Sequence, residues 1–143
     1  MKRNRGFTAI ELLVAITIVL LLVAVAVASY QDHMTNKRRA QARKTLIEAA
    51  EWLHGQRATS KTFLVKLPMT QAPGDGEANY LISLASKEIA AVDPKRVFSA
   101  TSFDTFTVQA VPVDEDRCGA LLLDSTGRTG VTGSSASVAN CWH

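Results

Sequence analysis

The chain has 143 residues, 47% hydrophobic and 20% charged, which excludes a disordered, collagen-like or disulfide-dense protein on composition alone. Its apolar residues crowd near the start and leave about 90 residues for a folded core, enough for one small domain. The formal charge is +3 from 16 basic and 13 acidic side chains, but Lys2, Arg3 and Arg5 account for the whole excess. From Phe7 onward the signs balance, and no general positive field exists to attract nucleic acid.

Residues 7–28, FTAIELLVAITIVLLLVAVAVA, carry one ionisable group, Glu11, and from Leu12 to Ala28 the one polar side chain is Thr17. At ~1.5 Å per residue this segment reaches ~33 Å as a helix, close to the hydrocarbon thickness of a bilayer. Its β-branched residues do not oppose helix there, because backbone in lipid must satisfy its own hydrogen bonds. Ser29 to His54 contain neither Pro nor Gly, so the helix is expected to continue. Ala42, Leu46, Ala49 and Leu53 form an apolar stripe that Ile47 and Ala50 widen, while Arg39, Arg43, Lys44, Glu48 and Glu51 fall elsewhere. That spacing predicts an amphipathic second half, with Gly55 placed as its C-terminal cap.

Residues 56–78, with the turn-rich Pro68 to Gly76, read mostly as loop. Strands are predicted at Tyr80 to Leu84, Phe103 to Val111 and Ala120 to Leu123; in the second, Phe106, Val108 and Ala110 alternate with polar residues, so one face is buried. Asp124 to Gly127 has turn chemistry, and the Gly/Ser/Thr-rich tail from Gly127 to Ser137 needs a clamp to be ordered. Trp52, Trp142, Phe103 and Phe106 are expected as core anchors. Cys118 and Cys141 lack CxxC spacing and a neighbouring histidine pair, which favours a disulfide, hence an oxidising compartment such as a bacterial periplasm, over two buried thiols.

The run Gly6-Phe7-Thr8-Ala9-Ile10-Glu11-Leu12, after a short basic leader, resembles the start of a type IV prepilin. Such a leader ends in Gly, an aromatic residue follows, and the mature helix bears Glu at its fifth position. Asp116-Arg117-Cys118-Gly119, the run Leu121 to Gly127 and Cys141-Trp142 are similar to a minor-pilin group within that family. The resemblance implies an α+β type IV pilin fold: a long N-terminal helix packed on a three- to four-stranded antiparallel sheet, with a C-terminal disulfide loop. It divides the chain into a leader (1–6), a transmembrane and assembly half of the helix (7–28), an amphipathic half (29–54) and a globular head (55–143). Leu20 and Ala28 stand where pilins commonly carry a Gly and a Pro, so the family's helix breakers are missing.

By the same resemblance, Gly6 precedes a prepilin-peptidase cut and Phe7 becomes an N-methylated N-terminus, with Glu11 attracting the α-amino group of Phe7 on a neighbouring subunit during assembly. An ordinary secretory signal cut at Ala26-Val27-Ala28 competes with this reading but leaves Glu11 unexplained. Lys37, Arg38, Arg39, Arg43 and Lys44 fit a solvated helix face better than a lipid or nucleic-acid contact, although pilins that take up DNA exist. Asp114, Glu115 and Asp116 lack the alternating spacing of a calcium loop and read as a solvated turn. His33, His54 and His143 are isolated, so no catalytic site, metal site or cofactor is expected.

The function expected is thus a structural pilus subunit, bitopic in the bacterial inner membrane with its head in the periplasm and then part of a surface fibre. Its expected partners are other pilins, the prepilin peptidase, the inner-membrane assembly machinery and, before assembly, lipid. Adhesion, twitching motility and DNA uptake all remain open. The alternatives are a pseudopilin of a type II secretion system and a membrane-anchored periplasmic binding module unrelated to fibres.

Overall fold

The computed structural model describes residues 7–143, so Gly6 and the rest of the expected leader lie outside the described residues. Helix α1 runs Ala9–Ser60 without interruption, and the chain divides between Thr35 and Asn36 into two compact units. In the first unit the helix is exposed on every side, with Leu20 64% and Val25 72% accessible. Thr17 turns its hydroxyl back onto the carbonyl of Leu13 at 2.8 Å, so this segment leaves no side-chain polar group unsatisfied between Leu12 and Ala28. Among the described residues α1 is the one helix long and apolar enough to cross a membrane.

In the second unit the helix buries Arg39, Ala42, Leu46, Ala49 and Leu53, one face at alternating steps of three and four. Ile47 stays 48% exposed and adds little to that stripe. Gly55 does not cap the helix, which continues to Ser60 and stops at Lys61, the residue with the left-handed φ of 56°. A mid-helix glycine costs ~1 kcal/mol relative to alanine. The extra turn offsets this by placing Arg57 on Asp104 and over the Phe63 ring.

Seven strands follow: β1 (Gln71–Ala72), β2 (Tyr80–Leu84), β3 (Ile89–Ala91), β4 (Arg96–Phe98), β5 (Thr107–Pro112), β6 (Leu121–Asp124) and β7 (Thr129–Val131). Five make an antiparallel sheet in the order β1-β2-β5-β6-β7, while β3 and β4 pair as a separate ribbon. The architecture is the expected α+β helix on a sheet, but the sheet gains a short edge strand at each side. Ile82, Ala110, Leu121 and Val131 are cross-strand partners in one row, and all four are buried against the helix side. The neighbouring row, Ser83, Gln109, Leu122 and Gly130, points the other way. There the β3–β4 ribbon lays Ala91 and Phe98 over Leu122. Gly130 is required beneath it, since a Cβ would come 2.6 Å from the Phe98 ring.

The tail expected to need a clamp is held in three ways. Val131 exchanges backbone hydrogen bonds with Asp93 at the ribbon tip. Helix α2 (Val138–Cys141) is capped by Ser137, and its Val138 amide donates to Asp93 Oδ2 at 2.6 Å. The Cys118–Cys141 disulfide then closes a loop with a sequence separation of 23. Phe106 is a core residue as expected, and Trp52 and Trp142 pack partly buried against the core; Phe103 is not in the core and is 66% exposed.

Candidate functional site

Two surfaces carry chemistry, one in each unit. At the start of α1, Thr8 and Glu11 form a reciprocal cap. The Glu11 carboxylate accepts from the Thr8 amide at 3.0 Å and the Thr8 hydroxyl at 2.8 Å, while the Glu11 amide bonds back to Thr8 Oγ1 at 3.4 Å. The T-x-x-E spacing produces this geometry, because residue N3 of a helix faces its N-cap. Glu11 therefore sits fixed in the open, on a shallow apolar stripe lined by Phe7, Ile10, Val14, Ala15 and Ile18. These residues recur every three or four positions and present one carboxylate on an otherwise apolar helix face.

In the head, Arg39 and Arg43 of α1 hold the segments that follow the sheet strands. Arg39 lies buried with Nη2 at 2.5 Å from Asp116 Oδ1 and Nε at 2.9 Å from Oδ2, a two-pronged pair with 4% and 7% exposed side chains. Tyr80 donates its hydroxyl to Asp116, and the Cys118 amide donates to Oδ1 at 2.8 Å, so the carboxylate binds the helix, strand β2 and the disulfide loop together. Burial alone would raise the Asp116 carboxyl, but the bonds from Arg39, Tyr80 and Cys118 hold it below the ordinary carboxylate value. Burial and the bond to Asp116 push the Tyr80 phenol well above its usual range. Arg43, one turn on, donates to the carbonyls of Cys141 at 3.2 Å and His143 at 2.9 Å.

These contacts correct the solvated-face reading of the basic helix residues for Arg39 and Arg43, which face the head and anchor it. Arg38 and Lys44 meet Asp114 at 3.5 Å and Glu48 at 3.6 Å on the surface, and Lys37 remains exposed. The acidic turn is likewise divided: Asp114 and Glu115 are at the surface, whereas Asp116 is occupied by Arg39. No local pattern reveals that pair, because its members are 77 residues apart.

The ribbon and the loops beside it supply exposed cations. Lys87 precedes β3, Lys95 and Arg96 lie at the ribbon tip, and Arg117 stands just before Cys118; none has an acidic partner among the described residues. The acids next to them in the chain are Glu88, Glu115, Asp116 and Asp93; Arg39 occupies Asp116, and Asp93 accepts from the Val138 amide. Lys87, Lys95 and Arg96 thus flank a ribbon of two three-residue strands, too short for the sequence pattern to mark.

A helix with a bare apolar first half, an antiparallel sheet packed on its second half and a disulfide near the C-terminus define a type IV pilin. The family described as "Type IV minor pilin ComP, DNA uptake sequence receptor" matches residues 28–122, and the "Prokaryotic N-terminal methylation motif" matches residues 1–27. The chain belongs to the type IV minor pilin family of ComP, and is a structural subunit of a type IV pilus. No curated protein matches it.

Proposed function

We propose that the chain is a minor pilus subunit that captures DNA for uptake and has no enzymatic activity. The observation that carries this reading is the match of the DNA-receptor family across residues 28–122, which spans the ribbon and most of the sheet. The cations Lys87, Lys95, Arg96 and Arg117 support it, since phosphate contacts are the sequence-independent source of DNA affinity. From Phe7 onward the charges balance, so affinity for phosphate would have to come from local cations such as these.

The subunit enters the inner membrane with its leader cytoplasmic and its head in the periplasm, as the basic residues before Phe7 favour. The prepilin peptidase cuts after Gly6, Phe7 becomes the methylated N-terminus, and the assembly machinery moves the apolar helix from lipid into a bundle of like helices. There Glu11 pairs with the α-amino group of Phe7 on a neighbour, where low dielectric makes the attraction strong enough to set axial register. The Thr8 cap holds the carboxylate in place for that exchange.

The test is a titration of the mature chain in detergent micelles with fluorescein-labelled duplex DNA, at two salt concentrations. The expected result is binding that weakens as salt rises, and a smaller salt dependence when Lys87, Lys95 and Arg96 are changed to Ala. Failure of the unaltered chain to bind any DNA at low salt contradicts the receptor role.

A further inference from the structure

Phe103 stands exposed on a turn that is held from several directions. The Ser102 amide bonds to the Thr105 carbonyl at 2.7 Å, and the Ser102 hydroxyl meets Thr105 Oγ1 at 3.1 Å and the Thr105 amide at 3.3 Å. Arg57 reaches across from α1 and donates to the carbonyl of Asp104 at 2.7 Å and its carboxylate at 2.9 Å. The apolar space under the turn is already filled by Phe63 and Phe106, whose ring centroids are 4.8 Å apart, with His54 edge-on to both. The ring is thus outside because the backbone on both sides of it is fixed and the core has no place for it.

We propose that Phe103 is a base-stacking residue: its ring takes the π-face of a nucleobase while Lys61 and Lys87 meet the flanking phosphates. The inference rests on the DNA-receptor reading above and assigns a residue to it. Protein interfaces are organised around clustered apolar anchors, whereas the residues that flank this ring in the turn, Ser102, Asp104 and Thr105, are polar. Stacking needs only one accessible ring face beside cations. The Asp104 charge is taken by Arg57. Lys61 lies four residues beyond Arg57, and Lys87 two beyond Ala85, whose carbonyl receives the Thr101 amide at the base of the turn. Both lysines are exposed without an acidic partner among the described residues; Glu88 is the acid next to Lys87. A ring held in advance loses little freedom on binding.

The experiment compares the mature full-length chain with Phe103→Ala and Phe103→Trp in detergent, using a fluorescein-labelled duplex and the single strand of the same sequence. Removing one stacked base contact should weaken binding about 5- to 150-fold. The salt dependence should stay unchanged, since no charge is lost. Phe103→Trp should retain affinity and show DNA-dependent quenching beyond that of the unaltered chain. Loss on the duplex identifies a wedge between base steps, and loss on the single strand alone identifies stacking on a free base. Equal affinity of Phe103→Ala and the unaltered chain overturns the inference while leaving the receptor reading intact; no binding by the unaltered chain removes both. Normal DNA binding by Phe103→Ala together with its depletion from sheared fibres makes the turn a subunit contact, and also overturns it.

Discussion

The two halves of helix α1 use the same aliphatic residues in opposite surroundings. Leu20 and Leu22 are 64% and 66% exposed, whereas Leu46 and Leu53 have no exposed surface. In the head the apolar stripe is answered by the sheet, and no buried side-chain nitrogen or oxygen among the described residues lacks a hydrogen-bond partner. The apolar side chains of the first half, from Phe7 to Val27, stay exposed. A fold can complete one end of a helix by itself and leave the other as an assembly surface whose partner is lipid or a second subunit.

That contrast can be broken most severely at the buried ion pair. Asp116→Ala leaves Arg39 charged and unpaired in the interior, and should destabilise the head by about 3–5 kcal/mol, read from denaturant unfolding of the full chain in detergent. Next come the leucines themselves. Leu46→Ala should cost about 2–5 kcal/mol in the same assay, while Leu20→Ala, on the exposed half, should leave head stability unchanged. Equal losses from both would mean that the first half is also part of the folded core.

A comparable but smaller loss, about 3 kcal/mol, is expected when Cys118 and Cys141 are both changed to Ser, because the crosslink restricts the unfolded chain. Arg43 and Asp93 should still hold the tail, so circular dichroism of the folded variant should match that of the unaltered chain. Retention of full stability without the crosslink would show that these polar clamps suffice.

The mildest perturbation is pH. Asp116 and Asp124 both have depressed carboxyls: burial opposes this, but Arg39, Tyr80 and Cys118 in the first case, and Thr126 and Arg128 in the second, overcome it. Unfolded, each titrates near about 4. The folded state then binds fewer protons around that value, so their stabilisation is complete above it and is lost as pH falls toward the lower folded values. Tyr80 acts at the other limit: its raised phenol contributes stability below about pH 10, lost as the pH rises further. The contribution of these three groups to thermal melting should therefore be constant between these limits, and Asp116→Asn should reduce the acid slope.

The same contrast governs how much could be read from the sequence. Residues 7–28 announce themselves by composition, and the stripe Ala42, Leu46, Ala49 and Leu53 by period, because both properties are local. Strand β2 falls on the predicted Tyr80 to Leu84, and the two cysteines pair. Strands β1, β3, β4 and β7 have two or three residues each, too few for alternation to register, so Thr129–Val131 is not marked as a strand within the tail. Phe103 looked like a core anchor because hydrophobicity is a property of the residue, whereas its exposure is decided by the Ser102 to Thr105 turn and by Arg57, 47 residues from Asp104. The place of Arg39 is hidden from its sequence neighbourhood for the same reason. On a helix it is one more cation, until a carboxylate from a distant loop arrives beside it.

The most direct measurement is mass spectrometry of pili sheared from cells that express the chain at its natural level. The account predicts a low-abundance subunit whose N-terminal peptide begins at a methylated Phe7. Glu11→Ala and Glu11→Gln should be processed to the same N-terminus but be depleted from the fibres. Absence of the unaltered chain from the fibres, or recovery of a form that retains Met1 or begins at Ser29, would contradict it.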